Sequence, residues 1–254
     1  MEAVVVPRYD AHFLRLVLDE LPPNARTVLD VGCGTGHSAR KLLERNAGCR
    51  VIAIDEDEGL IDVARRRAWK EIGKRLFFKL ESVDSLSFGD GVFDAVVANL
   101  AFEHFGDPPR ALRELRRVLA PGGPLLLTTP LRDTFVEVFD MLREHAVALS
   151  DDALLARIEA EVARDPTPEE LAAAVRAAGF REARVRQDAF RLSFRDVGEL
   201  FGDRLVEKVA LPRWRGACGD AAEAALPSAA RALETYFAGG PLSLTIHAGA
   251  VIAR

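Results

Sequence analysis

The segment VLDVGCGTG, Val28 to Gly36, sets an acid and three glycines at the end of an apolar stretch. Val28, Leu29 and Val31 have the pattern of a buried strand, while Gly32, Gly34 and Gly36 leave the loop beyond it without side chains. In an open α/β sheet, ligands bind past the carboxyl ends of the strands where strand order reverses, which puts Gly32 to Gly36 under a ligand. The spacing departs from the dinucleotide fingerprint G-x-G-x-x-G: the third glycine comes one residue early, and His37 takes the place that fingerprint reserves for glycine. Asp30 argues further against a phosphate dianion, because like charges would meet, and suits an ammonium group instead. Asp55 closes the next apolar run, about 20 residues on, where a carboxylate accepts hydrogen bonds from a ribose diol. Together these residues point to a nucleoside carrying a cationic tail.

The elements that must position them alternate. TVLDV, RVIAID, RLFFKL, FDAVVAN and PLLLTTP read as strands. SARKLLERN, EGLIDVARRRAWKEI (58–72) and PRALRELRRVL read as the helices between them. Such alternation implies right-handed βαβ units and a parallel sheet covered on both faces. In PRALRELRRVL, Leu112, Leu115, Val118 and Leu119 form one apolar stripe, and Gly122 and Gly123 supply positive φ angles for the turn that follows. Beyond Pro130 the pattern becomes helical and less regular through residues 131–165. TPEELAAAVRAAGF then restarts with Thr167 as N-cap, Pro168 at the first helical position, Glu170 completing a capping box and Gly179 as the stop. ARVRQDAF (183–190) and LSLTIHAGAVIAR (242–254) read as two late strands around a mostly helical stretch, 191–241. Each excursion is open to two readings, helical padding or a cap over a ligand.

With 254 residues, 49% of them hydrophobic, one sizeable domain is expected over 1–254. A net charge of -5 leaves no electrostatic footprint for nucleic acid. The basic run Arg65 to Arg75 reads as a solvated helix face. No apolar run reaches the 18 or so residues of a membrane span and no signal-peptide pattern opens the chain, so a cytoplasmic protein is expected. Cys33, Cys49 and Cys218 show neither disulfide nor zinc spacing, and no metal site is expected.

VLDVGCGTG, VIAIDEDEGLIDVAR, ESVDSLSFGDGVFDAVVANLAFEHFGDPPRALRELRRVLAPGG and LLLTTP, in this order, resemble the class I S-adenosylmethionine-dependent methyltransferases. The resemblance implies a doubly wound, mostly parallel seven-stranded sheet of the Rossmann-like methyltransferase type with helical cap insertions. It implies a lid helix over 1–20, a cofactor-binding core over 21–130, caps at 131–165 and 191–241, and returns to the core at 166–190 and 242–254. Carried onto this chain, it places the methionyl end of S-adenosylmethionine on Asp30 and the backbone of Gly32, Cys33 and Gly34, with Gly36 completing the loop. The ribose falls to Asp55, with Glu56 beside the adenosine, and the adenine edge to Ser82 and Val83. Relatives often have Asp where this chain has Ser82, so the side-chain bond to adenine is the point of departure. Asn99 and Leu100 end the fourth strand beside the cofactor. Tyr9 and His12 lie on the lid helix, and His104 stands near the transferring methyl, either as a general base or as a helix-entry residue. The implied reaction is in-line methyl transfer to a small organic acceptor. Similarity of GGPLLLTTPLRDTFVEVFDMLRE and FRLSFRDVGELFGD to malonyl-acyl-carrier-protein carboxyl methyltransferases keeps an acyl-carrier protein as the alternative acceptor. A nicotinamide oxidoreductase is disfavoured by His37, and a non-catalytic binding protein by the complete cofactor constellation.

Overall fold

Strands buried on both faces read as near-continuous apolar runs, and runs of this kind, with a half-exposed one at the sheet edge, make the parallel part of the sheet. In the computed structural model, which describes residues 4–68, 70–238 and 240–254, these are β1 (Thr27–Val31), β2 (Arg50–Asp55), β3 (Leu76–Leu80), β4 (Ala95–Asn99) and β5 (Leu125–Pro130). With β6 (Ala183–Phe194) and β7 (Leu242–Ala253) they form, among the described residues, a seven-stranded sheet of order β3-β2-β1-β4-β5-β7-β6. The expected doubly wound sheet is therefore the one observed. β2 and β4 pair in parallel with the two edges of β1, so strand order reverses at β1. The pairings Asp30 with Ala53 and Val97, Asp55 with Leu80, and Asn99 with Thr128 bring the carboxyl ends of β1 to β5 to one side of the sheet. β6 and β7 are antiparallel: Glu182 and Arg254 exchange both backbone hydrogen bonds.

A π-helical turn, Val6–Asp10, leads into α1 (Ala11–Leu18). The next helices are α2 (His37–Arg45), α3 (Glu58–Arg67), α4 (Pro108–Val118), α5 (Val136–Ala148), α6 (Asp152–Val162) and α7 (Pro168–Ala177). Four more, α8 (Val197–Gly202), α9 (Arg204–Val209), α10 (Leu211–Cys218) and α11 (Ala222–Tyr236), fill the second excursion. α4 forms for legible reasons. Asp107 caps it by accepting from Arg110 N (3.0 Å), prolines occupy its first turn, and Ala111, Leu112, Leu115 and Val118 are its buried stripe.

Three details differ from the sequence reading. α3 closes at Arg67 and does not run on to Ile72, because Ile72 bridges to Leu76 and Gly73, at φ +75°, turns the chain into β3. β6 extends to Phe194, since Leu192 and Phe194 are buried between exposed neighbours in strand alternation. At Gly123 the requirement is space, not positive φ: a Cβ there would lie 2.8 Å from Asp94 O, while Gly122 carries the positive φ of +79°. Residues 1–3 of the expected lid, Trp69 and Gly239 lie outside the described residues.

The chain divides into two compact units. One comprises Tyr9–Thr129, Pro168–Gln187 and Gly249–Arg254 and holds β1 to β4 and α1 to α4. The other comprises Pro130–Thr167 and Asp188–Ala248 with residues up to Arg8. In the latter, α5 packs on α6 and α11, and α10 on α6. Its centre is Trp214, fully buried and met edge-on by Phe135 (5.7 Å between centroids) and by Phe201 (6.0 Å). Arg213 bridges Glu161 and Asp165 at 2.9 Å each, all three nearly buried, so the charges compensate one another where water is scarce. Among the described residues no helix is long and apolar enough to cross a membrane.

Candidate active site

The end of β1 carries a charge out of water. Asp30 is fully buried; its Oδ2 accepts from Ser38 Oγ at 2.6 Å, Ala39 N–H adds a second bond, and its Oδ1 is buried with no partner among the described residues. Burial pushes its pKa up to about 7; the Ser38 bond opposes the rise, the nearby Asp55 charge adds to it, and the Ala39 bond opposes it. The glycines explain themselves in the same place. Gly32 sits at φ +63°, and a Cβ there would lie 2.6 Å from Ala101 Cβ. Gly36, at φ +80°, would meet Ala64 Cβ at 3.1 Å as it starts α2, whereas Gly34, at φ +52°, faces open space. Cys33 is buried, donates its N–H to Ile54 O (2.9 Å), and has a thiol pKa raised by burial and by the carboxylates of Asp30 and Asp55.

Asp55 reaches back to that loop. Gly34 N donates to its Oδ2 at 2.8 Å and Asp57 N to its Oδ1 at 3.0 Å. Each carboxylate oxygen has room for a second donor, so both remain competent to accept a hydroxyl. Glu56 is exposed beside it, and Asp57 caps α3 by accepting from Leu60 N (3.0 Å).

After β3, Ser82 to Ser85 form a turn in which Asp84 N donates to Ser82 Oγ at 3.3 Å. Val83 is buried there. After β4, Asn99 Oδ1 accepts from Thr128 Oγ1 (2.8 Å), and Leu100 N donates to Thr128 at 3.1 Å. Those bonds hold Leu100 at φ +56°, a conformation that a branched side chain rarely adopts. Tyr9 is buried, its ring 5.0 Å from that of Phe13, while Asn99 Nδ2 points to Asp10 O at 3.5 Å. His12 Nδ1 lies 3.5 Å from Arg15. The His104 side chain ends a short 3-10 turn, Phe102–His104, and is 78% exposed, with Glu103 Oε1 3.9 Å from its Nε2.

Asp30, Gly32, Cys33, Gly34, Gly36 and Asp55 thus gather at the neighbouring ends of β1 and β2, where Gly34 N–H donates to Asp55 and Gly36 N–H to Cys33 O, and the exposed His104 ring makes none of these bonds. Ser38, Thr128 and Asp84 escaped the sequence reading. A serine in the first turn after a glycine loop, and threonines in the otherwise apolar LLLTTP, are the signals that mark the first two.

The family model described as a methyltransferase domain matches residues 29–127. The chain is 32% identical over 222 residues to a demethylmenaquinone methyltransferase of Deinococcus radiodurans, covering 78% of this chain and 90% of that one. The chain belongs to the class I S-adenosylmethionine-dependent methyltransferases. A malonyl-[acyl-carrier protein] O-methyltransferase of Halorhodospira halophila is 35% identical over 159 residues, 59% of this chain and 53% of that one. Among solved structures, the YcgJ protein of Bacillus subtilis shares the fold with a TM-score of 0.60 at 22% identity, covering 96% of this chain and 97% of that one.

The methyltransferase uses S-adenosylmethionine, and the residues present fit it. Asp30 Oδ1 is a buried acceptor without a donor, Asp55 keeps acceptor capacity on both oxygens, and the space over Gly34 is open. The loop tolerates no bulk elsewhere. Gly32→Ala forces a methyl group against Ala101 in a left-handed conformation, a strain on the order of 1–3 kcal/mol. The variant is expected to melt earlier and to bind S-adenosylhomocysteine at least about tenfold more weakly, a factor worth about 1.4 kcal/mol; wild-type affinity by calorimetry contradicts this account of the loop.

Proposed function

We propose that the enzyme methylates a small organic acceptor, with Asp30 and the Gly32 to Gly36 backbone holding the methionyl end of the cofactor, Asp55 and Glu56 its ribose side, and Ser82 and Val83 the adenine edge. Tyr9, Asn99 and Leu100 line the same cofactor site in this reading, and the helical segments 131–165 and 191–241 shape the acceptor site. The observation that carries the choice of acceptor is coverage. The match to the demethylmenaquinone enzyme extends over 90% of that relative, whereas the acyl-carrier-protein enzyme is matched over about half its length. A carboxyl group on an acyl-carrier-protein thioester is the second reading, supported by that shorter match. A cytoplasmic location belongs to the same proposal, and three buried, unpaired thiols support it.

When bound, S-adenosylmethionine supplies an electrophilic sulfonium methyl group, so the chain's task is orientation. Holding reactants in line at about 3 to 3.5 Å contributes roughly 7 to 11 kcal/mol without any proton transfer. Incubation with methyl-labelled cofactor and separate panels of small aromatic acceptors and malonyl-acyl-carrier protein, read by mass spectrometry, tests the reading. Label on the small acceptors is expected; label confined to the carrier protein reverses the order of the two.

The Asp30 carboxyl gives a pH signature. Its folded pKa of about 7 lies above its ordinary value, so the ligand-free protein holds a proton there below neutrality. An ammonium partner requires the charged form, so binding below pH 7 must release that proton. Affinity for S-adenosylhomocysteine is expected to fall about tenfold from pH 8 to pH 6, with proton release seen by calorimetry in buffers of different ionisation enthalpy. Asp30→Asn removes both effects; a pH-independent wild type sinks the assignment of Asp30 to the ammonium.

A general base is normally held by a third group, and among the described residues the His104 ring has only Glu103, beyond hydrogen-bond range. His104→Ala is therefore expected to slow single-turnover methyl transfer by less than about 100-fold, below the usual worth of a positioned base. A larger loss with unchanged cofactor affinity makes His104 the base.

A further inference from the structure

The turn after β3 holds two unmet hydrogen-bonding groups on consecutive residues. Val83 N–H donates to no described residue, and the Asp84 carboxylate accepts from none, its Oδ1 being buried. The neighbouring acid is already engaged. Glu81 Oε1 accepts from Ser87 N (2.5 Å), and Lys79 Nζ lies 2.8 Å from its Oε2. Asp84 Oδ2 lies against Gly106, 3.2 Å from where a Cβ would stand, so the loop after β4 leaves this carboxylate room that any larger residue would fill. An unpaired carboxylate one residue after an unpaired N–H costs free energy unless a ligand brings the complementary pair, a donor next to an acceptor. The edge of adenine offers that pair, an exocyclic amine beside a ring nitrogen.

We infer that Asp84 accepts a hydrogen bond from the adenine amino group while Val83 N–H donates to the adjacent ring nitrogen, so that the acid missing at Ser82 is supplied two residues later. This rests on the proposed placement of the adenine edge at Ser82 and Val83. The Ser82 hydroxyl is then a support: it accepts from Asp84 N and fixes the backbone from which the carboxylate projects. Asp84 is a specificity residue that discriminates a 6-amino from a 6-oxo purine, because a carboxylate repels a carbonyl oxygen.

Calorimetry with S-adenosylhomocysteine and its 6-oxo analogue, S-inosylhomocysteine, separates the possibilities. Wild type is expected to prefer the amino form by roughly 10- to 100-fold, the range for a hydrogen bond to a charged group. Asp84→Asn should shrink that preference by about tenfold or more, since its amide can donate to the oxo group, and adding Ser82→Asp should restore it. An unchanged ratio in Asp84→Asn overturns the role of Asp84, whether or not both affinities fall together. Should that variant not fold, the wild type decides alone with the N6,N6-dimethyl analogue, which lacks the donor: binding within about threefold of the parent overturns the inference, and a loss of tenfold or more upholds it. Failure of wild type to bind S-adenosylhomocysteine at all strikes the cofactor site, whereas equal tolerance of all three ligands strikes Asp84 alone.

Discussion

A carboxylate set where water cannot reach it organises the unit that holds β1 to β4. Asp30 has to be compensated by protein groups, and the donors nearest to hand are Ser38 Oγ and Ala39 N in the first turn of α2. That demand ties the end of β1 to the start of the next helix and forces the intervening loop into the left-handed conformations that only its glycines adopt cheaply. Asp55 adds a second tie, from the end of β2 to Gly34 N. The contact of Gly32 with Ala101 brings in the segment after β4. Two aspartates and one glycine thereby fix three strand ends around one point.

That arrangement leaves one acceptor, Asp30 Oδ1, without a donor. A fold that only needed stability would replace Asp30 with an apolar residue of similar size, because a buried charge kept near its neutral form costs more than it returns. The proposed role of Asp30 at an ammonium group gives this acid a reason: energy withheld from folding is available to a cationic ligand group. The raised pKa expresses the same fact in protons.

How far the sequence discloses all this depends on whether the deciding interaction is local. The five parallel strands and the glycine loop are legible because apolar runs and a local acid–glycine pattern specify them. The end of α3 is not. Residues up to Ile72 favour a helix, and only the pairing of Ile72 with Leu76 and the left-handed Gly73 overrule them. The extension of β6 was available in the alternation of Arg191, Leu192, Ser193 and Phe194, which resembles too short a run to separate from the helix that follows. The threonines of LLLTTP stand out locally, but the partner of Thr128 does not follow from that, since its hydroxyl matters only through the register that sets it opposite Asn99.

The family match ends at residue 127, almost where the first segment of the unit that carries Asp30 and Asp55 ends at Thr129. Apart from residues 4–8, the other unit is assembled from segments that begin after that point, and its interior holds an aromatic cluster around Trp214 and the buried Arg213 pair with Glu161 and Asp165. The strand ends that carry Asp30 and Asp55 belong to the first unit, and the aromatic cluster belongs to the second. If orientation supplies most of the rate, as the unsupported His104 ring argues, then the reaction places few chemical demands on particular side chains. In the proposed reading, in which this unit shapes the acceptor site, selection on the acceptor can then act on shape.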